Sequence, residues 1–353
     1  MAISKDPVLA QRLRTDVYDL CLPDGRMVGS AGHAVARKYL KRRLAEIGCA
    51  PYAGDSFELP YAVGGMDFTN LIGVIPGSDR ASPPLLVGAH YDSIIDAPCA
   101  DDNGAAVAIC LAVAAAAKAS GGLSRDLIVA IFDAEEPPYF YGQAMGSTRF
   151  YEDQLDARGV HFALIYDLVG HDLSIPMQWL PLAGGIGALA GKDFALPVLK
   201  SGVFMTGAES CPELAGMVDA AGIPAGIKLV ATLNEYVGDI SDHGVFRKNG
   251  VPYLFLSCGR WAHYHMPTDT PDRLNYQKMA RIMRLSCNIL WQAADEPLAA
   301  ESNDDHTLEY EIHSFKKFAG PLFPILKKRA GISEMNTRSE MSAMVNALLM
   351  AGL

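Results

Sequence analysis

The run Leu85-Leu86-Val87-Gly88-Ala89-His90-Tyr91-Asp92-Ser93 decides the fold. Five apolar residues stand together after Pro83-Pro84 and stop at a histidine, with no polar residue alternating among them. Alternation marks a strand with one wet face, so an unbroken run marks a strand covered on both. Downstream, Asn103 to Ala117 is alanine-rich and helical by propensity. Leu127 to Phe132 and Phe162 to Tyr166 read as further buried strands, with a short helix near Ser147 between them. Val251 to Ser257 is the next strand, and Asp272 to Trp291 a helix carrying Leu274, Met279, Ile282, Ile289 and Leu290. Upstream, Leu71 to Ile75 is strand-like. Ser30 to Ile47 puts Val35, Tyr39, Leu40, Leu44 and Ile47 on one helical face, with Gly48 as C-cap. Apolar strands alternating with helices predict an α/β fold with a mostly parallel central sheet flanked by helices on both faces.

Two regions break this rhythm. Leu173 to Val237, rich in Gly, Ala and Pro, reads as an insertion or lid over the sheet. Residues 301–353 read as a helical C-terminal extension to a catalytic domain spanning 1–300. In the extension Met341, Met344, Val345, Leu348 and Leu349 form a helical stripe. Such a stripe either packs on its own domain or forms a homodimer contact.

The chain of 353 residues carries 30 Lys and Arg against 40 Asp and Glu, a formal charge of -10. That balance argues against nucleic acid or an anionic membrane as partner and suits a carboxylate-built cation site. The seven scattered cysteines include no CxxC pair, which points to a reducing compartment rather than a disulfide framework. No apolar signal segment is visible at the amino terminus, and the uncharged run Ala105 to Ala117 is shorter than a membrane span. The expectation is a soluble, cytoplasmic protein.

The residues able to do chemistry follow strands. His90 and Asp92 end the first run, and Asp101 and Asp102 open the next helix in Pro98-Cys99-Ala100-Asp101-Asp102-Asn103-Gly104. Glu135 and Glu136 end a strand in Phe132-Asp133-Ala134-Glu135-Glu136, Asp167 ends another, and His263 and His265 follow the last. Ligands of open α/β sheets bind beyond the carboxyl ends of the strands, where the loops converge. Taken singly, a Glu-Glu pair is ordinarily a solvated surface and Asp-Asp-Asn-Gly a turn or helix cap. Five such loops on one rim form a metal-site layout.

In this order, HYDS, PCADDNG, FDAEE, IYD and YHMPTDTPD resemble the co-catalytic dizinc aminopeptidases, whose clan also holds carboxypeptidases and glutaminyl cyclases. The likeness runs from the helix beginning Val28-Gly29-Ser30 to about Asp295. It implies a zinc-exopeptidase-like fold and two divalent ions, zinc in that family. It implies that His90 and Asp167 hold one ion, Glu136 and His265 the other, and that Asp102 bridges them. Glu135 would be the general base, and Asp92 would orient the His90 imidazole. Family spacing favours Asp102 over Asp101 and His265 over His263. Tyr264 either reaches the substrate or packs, Asp242 and His243 resemble pocket-shaping or supporting groups or else serve as a structural helix cap, and His171 reads as structural. Oxygen donors with two imidazoles suit zinc, and a shared carboxylate suits two ions activating one water.

The resemblance implies a metal-dependent exopeptidase, an aminopeptidase, acting on a peptide or an aminoacylated small molecule. A glutaminyl cyclase, a carboxypeptidase or a non-catalytic homologue are its rivals. Pro137 to Met145, aromatic here, replaces the Gly-rich run common in the family and leaves the substrate preference open.

Overall fold

A computed structural model describes residues 6–173 and 200–350. Two helices open the chain, α1 (Asp6–Leu20) and α2 (Ala31–Ile47). The Ser30 side chain caps α2 by accepting from the His33 amide, and Gly48 ends it at φ 84°. The buried face of α2 is His33, Ala36, Tyr39, Leu40 and Leu44. Val35, expected on that face, is 49% exposed.

The strands are β1 (Ala50–Pro51), β2 (Glu58–Val63), β3 (Met66–Ile75), β4 (Leu85–His90) and β5 (Leu127–Phe132). They continue with β6 (Phe162–Tyr166), β7 (Gly202–Thr206), β8 (Lys228–Ala231) and β9 (Tyr253–Ser257). Among the described residues they form one sheet ordered β1-β3-β5-β4-β6-β9-β7-β8, with β2 also on β3. The central four, β5-β4-β6-β9, run parallel, while β3 and β7 join them antiparallel.

Both faces are covered, as the unbroken apolar runs require. Leu85, Val87, Val129, Ile131, Leu164 and Leu254 pack under α1, α2 and the helices α3 (Ala105–Ala119), α5 (Glu213–Ala221) and α7 (Tyr276–Asp295). Leu86, Ile128, Ala130, Ile165 and Phe255 face the other way, against Phe150 behind α4 (Gly146–Arg149) and against Val245 and Phe246 of α6 (His243–Lys248). The run Ala100–Ala119 is long and apolar enough to cross a bilayer, but it lies buried in the core. Helix α7 starts later than expected, because Pro271–Arg273 form a tighter turn and Asn275 caps the helix through the Lys278 amide.

The reading of 173–237 as an insertion or lid over the sheet is corrected: residues 202–206 and 228–231 are strands of that sheet. Residues 174–199, also part of that reading, lie outside the described residues. Two short strands spaced by a helix gave no strong period to read.

The C-terminal extension is helical, with α8 (Leu308–Ala319), α9 (Phe323–Ala330) and α10 (Arg338–Leu349). Ser314 of α8 accepts the Ala231 amide of edge strand β8 at 3.1 Å, so the edge is capped rather than open. Met341, Met344, Val345 and Leu348 are buried with Val230, Phe315 and Phe318. Four of the five stripe residues therefore pack on their own chain, while Leu349 is 38% exposed.

Candidate active site

The parallel strands deliver their last residues to one rim. His90, fully buried, closes β4. Its Nε2 lies 3.4 Å from Asp102 Oδ1, 3.6 Å from Glu135 Oε2 and 3.9 Å from Asp167 Oδ1. Its Nδ1 lies 3.3 Å from Asp92. The second imidazole, His265, has its Nε2 3.2 Å from Asp102 Oδ2 and 3.4 Å from Glu136 Oε2. Asp102 thus turns one oxygen to each histidine. The groups His90–Asp102–Glu136 and His90–Glu135–Asp167 each converge closely enough to hold a cation.

Supporting hydrogen bonds fix the loops. Asp92 accepts the amides of Glu135 and Glu136 at 3.1 and 3.0 Å. Asp269 accepts the amides of Asp101 and Asp102, stitching the last loop to the turn Ala100–Gly104. Asn103 donates to the Tyr166 carbonyl at 3.0 Å. Arg26, fully buried, donates to the carbonyls of Tyr91, Pro98 and Cys99 at 2.7, 2.6 and 2.9 Å and so clamps the loop between His90 and Asp102. His33 stacks on Tyr91 and bonds Asp133 at 2.8 Å. The non-glycine residues Cys99, Ala134, Leu168 and His265, all in site loops, have φ between 42° and 57°. Each such residue costs about 1–3 kcal/mol and persists where its surroundings over-determine it.

Crowded buried charges shift one another. Burial, then Asp102, pushes Glu136 up to about 8. Glu135 is raised well above the carboxylate range by burial, with Asp167 and Asp242 adding to it. Burial opposes the His265 imidazolium, yet Asp102 and Glu136 outweigh it and push the group up to about 9. His90 rises for the same reason, through Glu135, Asp102, Asp167 and Asp92. Among the described residues several polar atoms here have no hydrogen-bond partner: both His90 nitrogens, Glu136 Oε1, Asp167 Oδ1 and His265 Nε2.

Asp101 turns away from this group, accepting the Gly170 amide and bonding His171 Nδ1, both at 2.6 Å. His263 is engaged with Thr268 at 2.7 Å. Asp242 is buried beside the cluster, within the fields of His90, Asp167 and Asp92, and burial pushes it up to about 7. His243 departs from the pocket reading: it bonds Asn234, stacks on Phe255 at 4.2 Å, and burial holds it at about 4. Tyr264 stacks on His265 with ring centroids 3.7 Å apart. In the aromatic stretch after Glu136, Tyr139 packs on Phe68, whereas Tyr141 is exposed. Arg26, His33, Asp133 and Asp269 were not singled out from sequence, because each acts through partners far along the chain.

A largely parallel sheet with acids and imidazoles on its carboxyl-end loops defines the zinc-exopeptidase-like fold class. More particularly, residues 70–290 match Peptidase family M28, and the chain belongs to that family. It is 29% identical over 225 residues to YfbL of Escherichia coli K12, an uncharacterized protein, covering 57% of this chain and 64% of that one. The chain therefore spans under two thirds of the length of the curated relative it matches. The Legionella pneumophila LapA aminopeptidase shares the fold at a TM-score of 0.62 and 16% identity, over 82% of this chain and 73% of that chain. The Tannerella forsythia glutaminyl cyclase does so at 0.59 and 16%, over 80% of this chain and 98% of that one.

Proposed function

We propose that this chain is a two-zinc exopeptidase that removes amino-terminal residues from peptides. The observation that carries the reading is Asp102, whose two oxygens each meet a different imidazole, with further carboxylates close to both. The donor set fits the group. Buried polar atoms without partners are rare in folded proteins, and those of His90, Asp167, Glu136 and His265 are what dications would satisfy. His90 and Asp167 would hold one ion, Glu136 and His265 the other, and Asp102 both. When bound, the ions supply a Lewis acid for the peptide carbonyl and acidify a water at neutral pH.

Glu135 would take a proton from the attacking water and return it to the leaving amine, since its raised affinity suits a group that must carry that proton. Asp92 holds the Glu135 and Glu136 backbone and faces His90 Nδ1, which fixes the imidazole that presents Nε2 to the site. A positively charged substrate amino group would be drawn to this acidic rim, which favours amino-terminal cleavage over carboxyl-terminal. All seven cysteines are free and buried, in keeping with a cytoplasmic setting.

The test is mass spectrometry of a peptide pool, half free and half N-acetylated, incubated with zinc-loaded protein. Stepwise loss of amino-terminal residues from the free peptides alone supports the reading. Loss from the carboxyl end of both sets overturns its polarity. No cleavage, with about one zinc per chain, would point to cyclase chemistry instead.

A further inference from the structure

Next to His265 the acidic rim carries a cation. The guanidinium of Arg260 sits 5.0 Å from the centroid of Tyr264, whose ring stacks on His265 at 3.7 Å. Arg260 makes no ion pair among the described residues, although Asp102, Glu136 and Asp167 lie within electrostatic reach of the Tyr264 ring on which it stacks. The two stacking distances place its charge within about two and a half residues' length of the His265 ring, at ~3.5 Å per extended residue.

Arg260 also stands at the wall of a cavity of about 350 Å³ lined by Phe204, Tyr236, Ile240, Phe255 and Leu348. One side of that cavity is the sheet beyond β9, and the other is helix α10 of the C-terminal extension. Its lining is mostly apolar, and Ile240, 40% exposed, stands at its open side. A cation beside an apolar hollow complements one kind of group, an apolar side chain whose backbone ends in a carboxylate.

We propose that Arg260 and this cavity recognise the residue on the leaving side of the scissile bond when it is apolar and carries a free α-carboxylate. The substrates would then be dipeptides and short peptides ending in an apolar residue. The α10 residues of the extension would contribute to their selection. The inference rests on the exopeptidase reading and narrows its substrate class.

The test compares Leu-Leu with Leu-leucinamide on the zinc-loaded full chain and on the variants Arg260→Met and Arg260→Lys. A charge-assisted contact predicts about tenfold or greater preference for the acid, carried mainly by KM. That ratio should fall to near one in Arg260→Met and partly return in Arg260→Lys. A wild-type ratio near one, or an unchanged ratio in Arg260→Met, overturns the proposal while leaving the exopeptidase reading intact. Binding of N-acetyl-leucine against N-acetyl-leucinamide, followed by NMR titration, needs no turnover. If neither dipeptide is cleaved, the mixed peptide pool decides the exopeptidase reading and the titration decides the recognition site. Acid-selective binding lost in Arg260→Met would still uphold the recognition site, and equal binding would overturn it.

Discussion

Glu135 and Glu136 are neighbours with different surroundings, and that difference assigns their work. Glu136 lies 3.4 Å from His265, whereas Glu135 lies 3.6 Å from His90 and is raised by burial. Glu135→Gln keeps the shape and removes the proton carrier. Turnover should fall by about 10²–10⁴, with zinc content unchanged by elemental analysis; near-normal turnover would remove Glu135 from the role of base. Residue type and strand-end position brought His90, Asp102, Glu136, Asp167 and His265 into view in the sequence, and the family resemblance chose them from their neighbours. The choice of Asp102 over Asp101 became physical only when Asp101 was seen bonded to Gly170 and His171. Asp269 could not be read in this way, since the amides it accepts lie 168 and 167 positions away.

Among the elements, the loop from Tyr91 to Cys99 depends on one side chain from outside it. Removing the three donors of Arg26 leaves buried carbonyls unpaired, at about 1–3 kcal/mol each. Arg26→Met should therefore lower the urea midpoint clearly and loosen the Asp102 loop in hydrogen exchange; an unchanged midpoint would refute the clamp. The extension is held by its own cluster, in which Phe315 is fully buried. Phe315→Ala should cost about 3–5 kcal/mol, read by denaturant unfolding, and a loss under 1 kcal/mol would mean α8 is only loosely docked. Unbroken apolar runs were legible: Leu127–Phe132 and Phe162–Tyr166 were bounded to the residue. Strands β7 and β8, of five and four residues, and the half-exposed β2 lacked that signal, and their pairing was decided by tertiary contacts.

At the scale of the molecule, a crowd of carboxylates is held together by a scaffold that must bear their repulsion. His265 and Glu136 are both pushed up, so the metal-free cluster holds protons at neutral pH that free carboxylate and imidazole would have given up. Zinc requires them deprotonated, so loading should expel protons and tighten as pH rises from 7 to 9. Calorimetry in buffers of different ionisation enthalpy measures the release, and zero release would contradict these ligands. The sheet that aligns the loops was legible as a class, whereas the supports that hold them from α2 and from Arg26 were not.

Those supports have a consequence for how much of the chain a working site needs. His33 and Arg26 both precede the region that matches the family, residues 70–290, yet they brace Asp133, Tyr91 and the loop to Cys99. The heritable signature and the mechanical unit are therefore not the same stretch of polypeptide. A chain trimmed to the signature would keep every proposed ligand and lose the buttress that aims two of them, and grafting between relatives would have to carry the first fifty residues along with the motifs.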